Sequence, residues 1–199
     1  MLEIGITGNI GSGKSAVTSY LRKKGYVVID ADEIVKLIYM DKDFQAEMIK
    51  KFGETIKSGD EDTQLDKKKI AGLVFNNKDK LETLDKTVGP FFKKILDLEL
   101  ERHKNEKILF LDIPLLFEKN YQRFMDKIIL VHCEEEIRYE RASKRDQKTK
   151  EEIKKIDQSQ MPHQEKLKLA DYIIDNSGDL DNLHKQIEKT LESISALNE

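Results

Sequence analysis

The segment Gly8-Asn9-Ile10-Gly11-Ser12-Gly13-Lys14-Ser15 decides the fold, because it matches the phosphate-loop pattern G-x-x-x-x-G-K-[ST] at every defined position. The apolar run Leu2–Thr7 precedes it, and a segment of helical spacing with Val17 and Leu21 on one side follows it. Glycines let backbone N–H groups point inward, and the N-terminus of the following helix adds positive potential. The segment therefore predicts a site for the phosphates of a nucleotide.

The side chains of this loop have predicted roles in binding ATP and Mg²⁺. Lys14 is expected to neutralise the β- and γ-phosphate oxygens, and Ser15 Oγ is expected to ligate Mg²⁺. The alternative is a glycine-rich turn that binds nothing, but such a turn needs neither the strand nor the helix that flank it. The residues predicted to contact the nucleotide are Gly8, Gly11, Ser12, Gly13, Lys14, Ser15 and Ala16.

Five short apolar runs predict the strands of a parallel sheet. They lack clean alternation, which is typical of strands buried on both faces, and helical segments separate them. The prediction is an α/β fold of the P-loop kinase-like, three-layer type with a five-stranded parallel sheet. The runs are Leu2–Thr7, Tyr26–Asp30, Lys107–Asp112, Lys127–His132 and Tyr172–Asp175.

Two connections between these runs are too long for a minimal strand–helix–strand unit. The first, approximately residues 32–106, has mostly amphipathic helical spacing and is predicted to be a helical substrate-binding insertion. The second, approximately residues 134–169, is highly charged and is predicted to be a lid. The alternative for either connection is a decorative loop without a role in the reaction. The core of the single domain would then comprise approximately residues 1–31, 107–133 and 170–199.

Two aspartates follow the second predicted strand. Residues two apart in an extended segment share a face, so Asp30 and Asp32 are predicted to point the same way, at the edge of the sheet where the phosphate loop lies. A kinase that acts on an alcohol needs a carboxylate to orient the hydroxyl and accept its proton, and Asp32 is the favoured base. The alternative is that one aspartate caps the next helix, because Asp30 and Glu33 have capping-box spacing.

An acid ends the third predicted strand, and arginines follow in the lid. Asp112 is either a Mg²⁺ ligand held through water or a helix N-cap, since Pro114 suits a first helical turn. Arg141 and Arg145 are four residues apart and therefore share a helix face. They either face the phosphates and stabilise the transferring charge, or face water and pair with Glu140 or Asp146.

The composition excludes several classes of protein. The 199 residues carry a net charge of −3 without a strongly basic half, which argues against a nucleic-acid partner. One cysteine fits a reducing compartment, and the absence of a long apolar stretch argues against a membrane partner. We expect a cytoplasmic protein that is a monomer or a small homo-oligomer.

The order of these motifs resembles the dephospho-CoA kinase family over nearly the whole chain. The matching segments include Val28–Asp32, Pro114–Glu118, Arg141–Asp146 and Ala170–Gly178. Within them, Asp30–Asp32, Pro114–Glu118 and Asp175–Gly178 separate this family from other kinases with a phosphate loop. The resemblance implies Mg²⁺-dependent transfer of the ATP γ-phosphoryl group to the ribose 3′-hydroxyl of dephospho-coenzyme A, giving CoA and ADP. It also implies a helical CoA-binding insertion and a mobile lid.

The resemblance further implies roles for particular residues. Asp32 matches the family's base, and Arg141 and Arg145 match its lid arginines. The positions matched near the acceptor are Asp30, Asp32, Leu116 and Glu118. Two departures stand out, since Gly89 replaces a common histidine before Pro90 and Ala16 replaces a frequent threonine. The alternatives are another P-loop kinase of a nucleoside or small metabolite, and a nucleotide-dependent switch.

Overall fold

The computed structural model describes residues 1–59, 64–75 and 77–198. The predicted five strands are present and all pairs are parallel, in the order β2-β3-β1-β4-β5. Two of them begin one residue later than predicted. The strands are β1 Leu2–Thr7, β2 Val27–Asp30, β3 Ile108–Asp112, β4 Lys127–His132 and β5 Tyr172–Asp175. The predicted α/β fold class is confirmed.

Helices follow the strands, and short polar side chains begin several of them. The carboxylates of Asp41, Asp66 and Asp179 accept hydrogen bonds from N–H groups in the first turns of α3, α4 and α9. Thr149 and Glu152 form a capping box at α7. The helices are α1 Lys14–Lys23, α2 Ala31–Met40, α3 Lys42–Phe52, α4 Lys67–Val74, α5 Lys78–Arg102, α6 Glu135–Asp146, α7 Lys150–Gln158, α8 His163–Leu169 and α9 Leu180–Ser195.

Glycine ends α1 and returns the chain to the sheet. Gly25 has φ +90°, and its N–H donates to the Arg22 carbonyl while the Tyr26 N–H donates to the Leu21 carbonyl. This is the Schellman arrangement, which needs a residue with positive φ at Gly25. The chain can therefore enter β2 immediately after the helix.

The chain divides into two compact units. Unit 1 comprises Met1–Ala31 and His103–Glu199, and unit 2 comprises Asp32–Arg102. In unit 1, α1 and α9 pack on the sheet over one continuous hydrophobic core. The buried residues of that core include Ile4, Ile6, Val17, Leu21, Phe110, Ile129, Val131, Ile174, Leu183, Ile187 and Ile194.

Unit 2 has an interior of its own, formed mainly by helices. Phe44 and Met48 of α3 are fully buried, and Phe92 and Leu96 of α5 are nearly so. The Phe44 and Phe91 rings meet edge to face with centroids 5.3 Å apart. Within the described residues of the whole chain, no helix combines the length and apolar character needed to cross a bilayer.

Candidate active site

The phosphate loop joins β1 to α1 and has the backbone that its glycines allow. Gly11 and Gly13 have φ +77° and +84°, and Gly13 is the N-cap of α1. A Cβ at Gly11 would collide with the Arg138 carbonyl oxygen, and one at Gly13 with Asn176 Nδ2. Both positions therefore require glycine for conformation and for space.

Lys14 and Asp112 meet at the centre of this site. The Lys14 ammonium forms an ion pair with Asp112 Oδ1, and Asp112 is 5% exposed. Asp112 ends β3, where the sheet register places it beside Ile6 of β1 and Asp30 of β2. The phosphate loop and the Asp112 carboxylate thus come together because neighbouring parallel strands end at the same edge of the sheet.

Oxygen donors of this site fit Mg²⁺. Asp112 supplies a carboxylate, and Ser15, exposed in the first turn of α1, supplies a hydroxyl. Mg²⁺ uses few protein ligands and keeps water and phosphate oxygens in its octahedral shell. Among the residues that the structure describes, no group of three or more His, Cys, Asp or Glu side chains could hold a metal by itself. The small donor set therefore fits a magnesium ion that arrives with a nucleotide.

Asp112 does not cap a helix, so that alternative is wrong. The segment after β3 forms turns, in which the Lys119 N–H donates to the Leu115 carbonyl and the Tyr121 N–H to the Leu116 carbonyl. Pro114 lies in these turns, and its carbonyl accepts a bond from Thr7 Oγ1.

The expectation that Asp30 and Asp32 lie on one extended face was also wrong. The strand ends at Asp30 and α2 begins at Ala31, so Asp32 lies in the first helical turn. Residues two apart share a face in a strand but not in a helix. Asp32 is exposed and Asp30 is half-buried.

Asp157 of α7 is hydrogen-bonded to the phosphate loop although it lies far from the loop in the chain. Its carboxylate accepts two bonds from the Arg138 guanidinium, at 2.7 and 3.0 Å, and one of 3.0 Å each from Asn9 Nδ2 and Tyr139 Oη. Burial alone would raise the pKa of Asp157, but the bonds from Arg138 and Asn9 outweigh it and leave the pKa below its usual value. Gln160 Oε1 also accepts from the Ile10 N–H.

Glu118 holds the segment that follows α7. Its Oε1 atom lies 2.7 Å from the ammonium of the fully buried Lys166 and accepts a 2.8 Å bond from the Met161 N–H. The preceding Leu116 is 0% exposed, and a Cβ at Gly5 would lie 2.5 Å from its Cδ1 atom. Leu116 therefore belongs to the buried core in this conformation, and its contact with the acceptor stays a prediction.

The two predicted lid arginines differ in their partners. Arg141 donates from Nη1 to the Asn176 carbonyl at 2.9 Å and to Cys133 Sγ at 3.4 Å. Arg145 is exposed and makes two bonds to the neighbouring Asp146, at 2.7 and 2.8 Å. Arg141 therefore lies beside residues that touch the phosphate loop, whereas Arg145 follows the alternative of a surface ion pair.

A cavity of about 490 Å³ adjoins the loop residue Asn9. Two imidazoles line it, with 2.6 Å between His132 Nδ1 and His163 Nε2, so that they can share one proton. Burial, and then the charges of His132 and Arg138, lower the pKa of His163 to about 4. His163 is therefore neutral at physiological pH.

Sequence reasoning missed Asn176 and Asp157 as residues of the site. Asn176 directly follows β5, and its Nδ2 donates a 2.8 Å bond to the Ser12 carbonyl. Its place directly after a predicted strand was a usable signal, because the carboxyl ends of parallel strands surround the ligand site. Asp157 gave no such signal, since it lies 148 residues from Asn9 within a charged helix.

The fold and the site together define an ATP-dependent kinase of the P-loop class. A family model described as dephospho-CoA kinase matches residues 2–182. The chain belongs to the dephospho-CoA kinase family. This membership confirms the predicted activity, the phosphorylation of dephospho-CoA, and the predicted use of ATP with Mg²⁺.

Similar proteins cover nearly the whole chain. A dephospho-CoA kinase of Fusobacterium nucleatum is 40% identical over 196 residues, which cover 98% of this chain and 99% of that protein. The crystal structure of TT1252 from Thermus thermophilus matches with a TM-score of 0.86 and 35% identity, over 96% of this chain and 97% of that one. A dephospho-CoA kinase from Campylobacter jejuni matches with a TM-score of 0.70 and 27% identity, over 99% and 98%.

Proposed function

We propose that the phosphate loop holds the triphosphate of ATP while Asp32 receives the proton of the ribose 3′-hydroxyl of dephospho-coenzyme A. The observation that carries this proposal is the ion pair of Lys14 and Asp112 at the start of α1. It supports the proposal because a cation and a carboxylate then lie where backbone amides and the N-terminus of α1 favour phosphate.

Different groups of the loop would bind different parts of the Mg–ATP complex. N–H groups of Gly8, Gly11 and Gly13 would contact phosphate oxygens, with Lys14 on the β- and γ-phosphates. Ser12 and Ala16, whose N–H groups donate to the Asn9 and Gly13 carbonyls, would border the phosphates. Ser15 and Asp112 would hold Mg²⁺, which neutralises charge on the transferring group. The Lys14 ammonium must then exchange at least part of its bond with Asp112 for phosphate oxygens.

The remaining predicted residues act on the lid and acceptor sides. Arg141 would stabilise the transferring charge, and Arg145 would leave Asp146 to join it when ATP is bound. Asp30 would support the acceptor, as would Glu118 by holding the Met161 backbone. In this proposal residues 32–106 bind CoA, and residues 134–169 close over the nucleotide.

The experiment that tests this function offers the purified protein two acceptors, dephospho-CoA and adenosine, and includes a reaction without any acceptor. With ATP and Mg²⁺, dephospho-CoA should yield CoA and ADP, detected by chromatography and mass spectrometry. Phosphorylated adenosine in place of CoA would favour the alternative of a nucleoside kinase. ADP that forms equally without any acceptor would favour the nucleotide switch.

We also propose that the enzyme works in the cytoplasm, without nucleic acid or membrane, as a monomer or small homo-oligomer. Its net charge of −3 supports the absence of a polyanionic partner. Light scattering on the active protein should give the mass of one to a few chains, and activity should not change when DNA or anionic vesicles are added.

A further inference from the structure

Asn176 is a buried polar residue at the end of β5 with three hydrogen bonds that link separate parts of unit 1. It is 6% exposed. Its N–H donates to the His132 carbonyl at 2.8 Å, which continues the pairing of β5 with β4 by one residue. The sheet therefore fixes the backbone of Asn176, and with it the positions from which its side chain and its carbonyl make hydrogen bonds.

The side chain of Asn176 sets the orientation of one peptide in the phosphate loop. Its Nδ2 donates to the Ser12 carbonyl at 2.8 Å. The carbonyl of Ser12 and the N–H of Gly13 belong to one planar trans peptide, in which these groups point in opposite directions. The bond from Asn176 therefore turns the Gly13 N–H away from Asn176.

The carbonyl of Asn176 holds Arg141. It accepts the 2.9 Å bond from Arg141 Nη1, and that nitrogen lies 3.8 Å from the place where a Gly13 Cβ would stand. The Gly13 Cα faces the Asn176 amide so closely that a Cβ there would collide with Nδ2. One residue thus contacts both the peptide that begins α1 and the lid arginine.

We propose that Asn176 is a positioning residue for phosphoryl transfer, which presents the Gly13 N–H and the Arg141 guanidinium to the phosphates of ATP. It acts through the loop and need not touch the transferring atoms. Donors that are held in place before ATP arrives need no further ordering when the phosphates bind, so the loss of this order weakens the binding of ATP. This inference rests on the proposed roles of the loop and of Arg141.

The test compares two variants that remove the donor. Asn176→Asp keeps the shape but can no longer donate when ionised, and it adds a negative charge beside the phosphates. Asn176→Ala removes the donor without adding charge. We expect KM for ATP to rise about tenfold in Asn176→Ala, the loss of roughly one hydrogen bond to a buried carbonyl, and more in Asn176→Asp. KM for dephospho-CoA should stay within about twofold.

Asn182→Asp is the matched control, because Asn182 is exposed in the first turn of α9, and its side-chain oxygen accepts from Gln186. An aspartate can keep that bond, so its kinetics should equal those of the wild type. All assays are run well below each variant's unfolding temperature, and if Asn176→Asp does not fold, Asn176→Ala carries the test.

An unchanged KM for ATP in the folded variants, with only a lower unfolding temperature, would overturn the positioning role and leave Asn176 a structural residue. A wild-type protein that makes no CoA would instead contradict the proposed function. The two failures are therefore distinguishable.

Discussion

The opposite charges of Lys14 and Asp112 are paired at the start of α1. Their side chains are 17% and 7% exposed, so each would lose much of its hydration without a partner. The same two groups are the cation and the carboxylate that a Mg–ATP complex needs. A substitution of either residue should therefore affect both stability and turnover.

Lys14→Ala should lower turnover by several orders of magnitude, because phosphoryl transfer depends on positioned positive charge. It should also lower the free energy of unfolding by about 3 kcal/mol, since Asp112 would stay buried without its partner. Steady-state kinetics and urea unfolding measure the two effects. Lys23→Ala, at the exposed end of α1, is the control. Near-normal turnover in folded Lys14→Ala would remove the loop from the mechanism.

Asp32→Asn should reduce kcat by at least about 100-fold while the dissociation constant for ATP stays nearly unchanged, because a general base acts on the acceptor. Asp32 is exposed, so stability should change little. Glu33→Gln is the control on the next residue of α2. If Asp30→Asn lost turnover in place of Asp32→Asn, the base would be Asp30.

At the scale of elements, α6 and α7 form a support for the phosphate loop. The Arg138 guanidinium links the two helices through Asp157 and also donates to the Ile10 carbonyl at 3.0 Å. Arg138 is 2% exposed, and such a buried charge is stable only with a partner of good geometry. A part of the segment predicted as a lid is thus attached to the loop in this conformation.

Asp157→Asn should lower the free energy of unfolding by roughly 3 kcal/mol at pH 7, because Arg138 would remain buried without its counter-charge. The folded-state pKa of Asp157 is lowered, so the carboxylate stabilises the protein above its unfolded-state pKa of about 3.9. That stabilisation disappears as pH falls through the folded-state pKa. The difference from the wild type should therefore shrink below about pH 4.

Urea unfolding at pH 7, 5, 4 and 3 measures this difference. Asp181→Asn, an exposed aspartate in the first turn of α9, is the control and should change stability little. A difference between wild type and Asp157→Asn that stays constant down to pH 3 would show that the charge of Asp157 is unimportant.

At the scale of the whole molecule, the residues proposed to bind ATP and those proposed to bind CoA fall in different units. Every residue proposed to bind ATP or Mg²⁺ belongs to unit 1, whereas the proposed CoA-binding insertion corresponds closely to unit 2. Substitutions within unit 2 should therefore change acceptor kinetics without changing ATP affinity. Gly89 in α5 allows a direct test.

Gly89→His should lower KM for dephospho-CoA severalfold, because the resemblance to the family implies a histidine before Pro90. A Cβ at Gly89 meets nothing within 4 Å, so α5 can accept the change. Gly89→Ala separates helix propensity, worth up to about 1 kcal/mol, from an acceptor contact. The dissociation constant for ATP should stay constant in both variants. Equal KM values in Gly89→His and Gly89→Ala would exclude a contact from residue 89.

Much of the site was predictable because it is local in the chain. Gly8–Ser15 carries the loop, its glycine conformations and the start of α1 within eight neighbouring residues. The strands were predictable because short runs rich in Ile, Val and Leu are typical of strands that are buried in the parallel sheet of an α/β protein. Asp30 and Asp32 show the limit, since the pattern did not show that α2 begins directly after β2.

The amino-acid sequence by itself determined the phosphate loop, the five parallel strands and the family to which the chain belongs. Only the tertiary structure decided the pairing of Lys14 with Asp112, the support of Asn9 by Asp157 and the bond from Asn176 to the Ser12 carbonyl. These partners are 98, 148 and 164 residues apart. Local patterns reflect backbone preferences and burial, whereas such contacts exist only after the sheet has brought distant segments together.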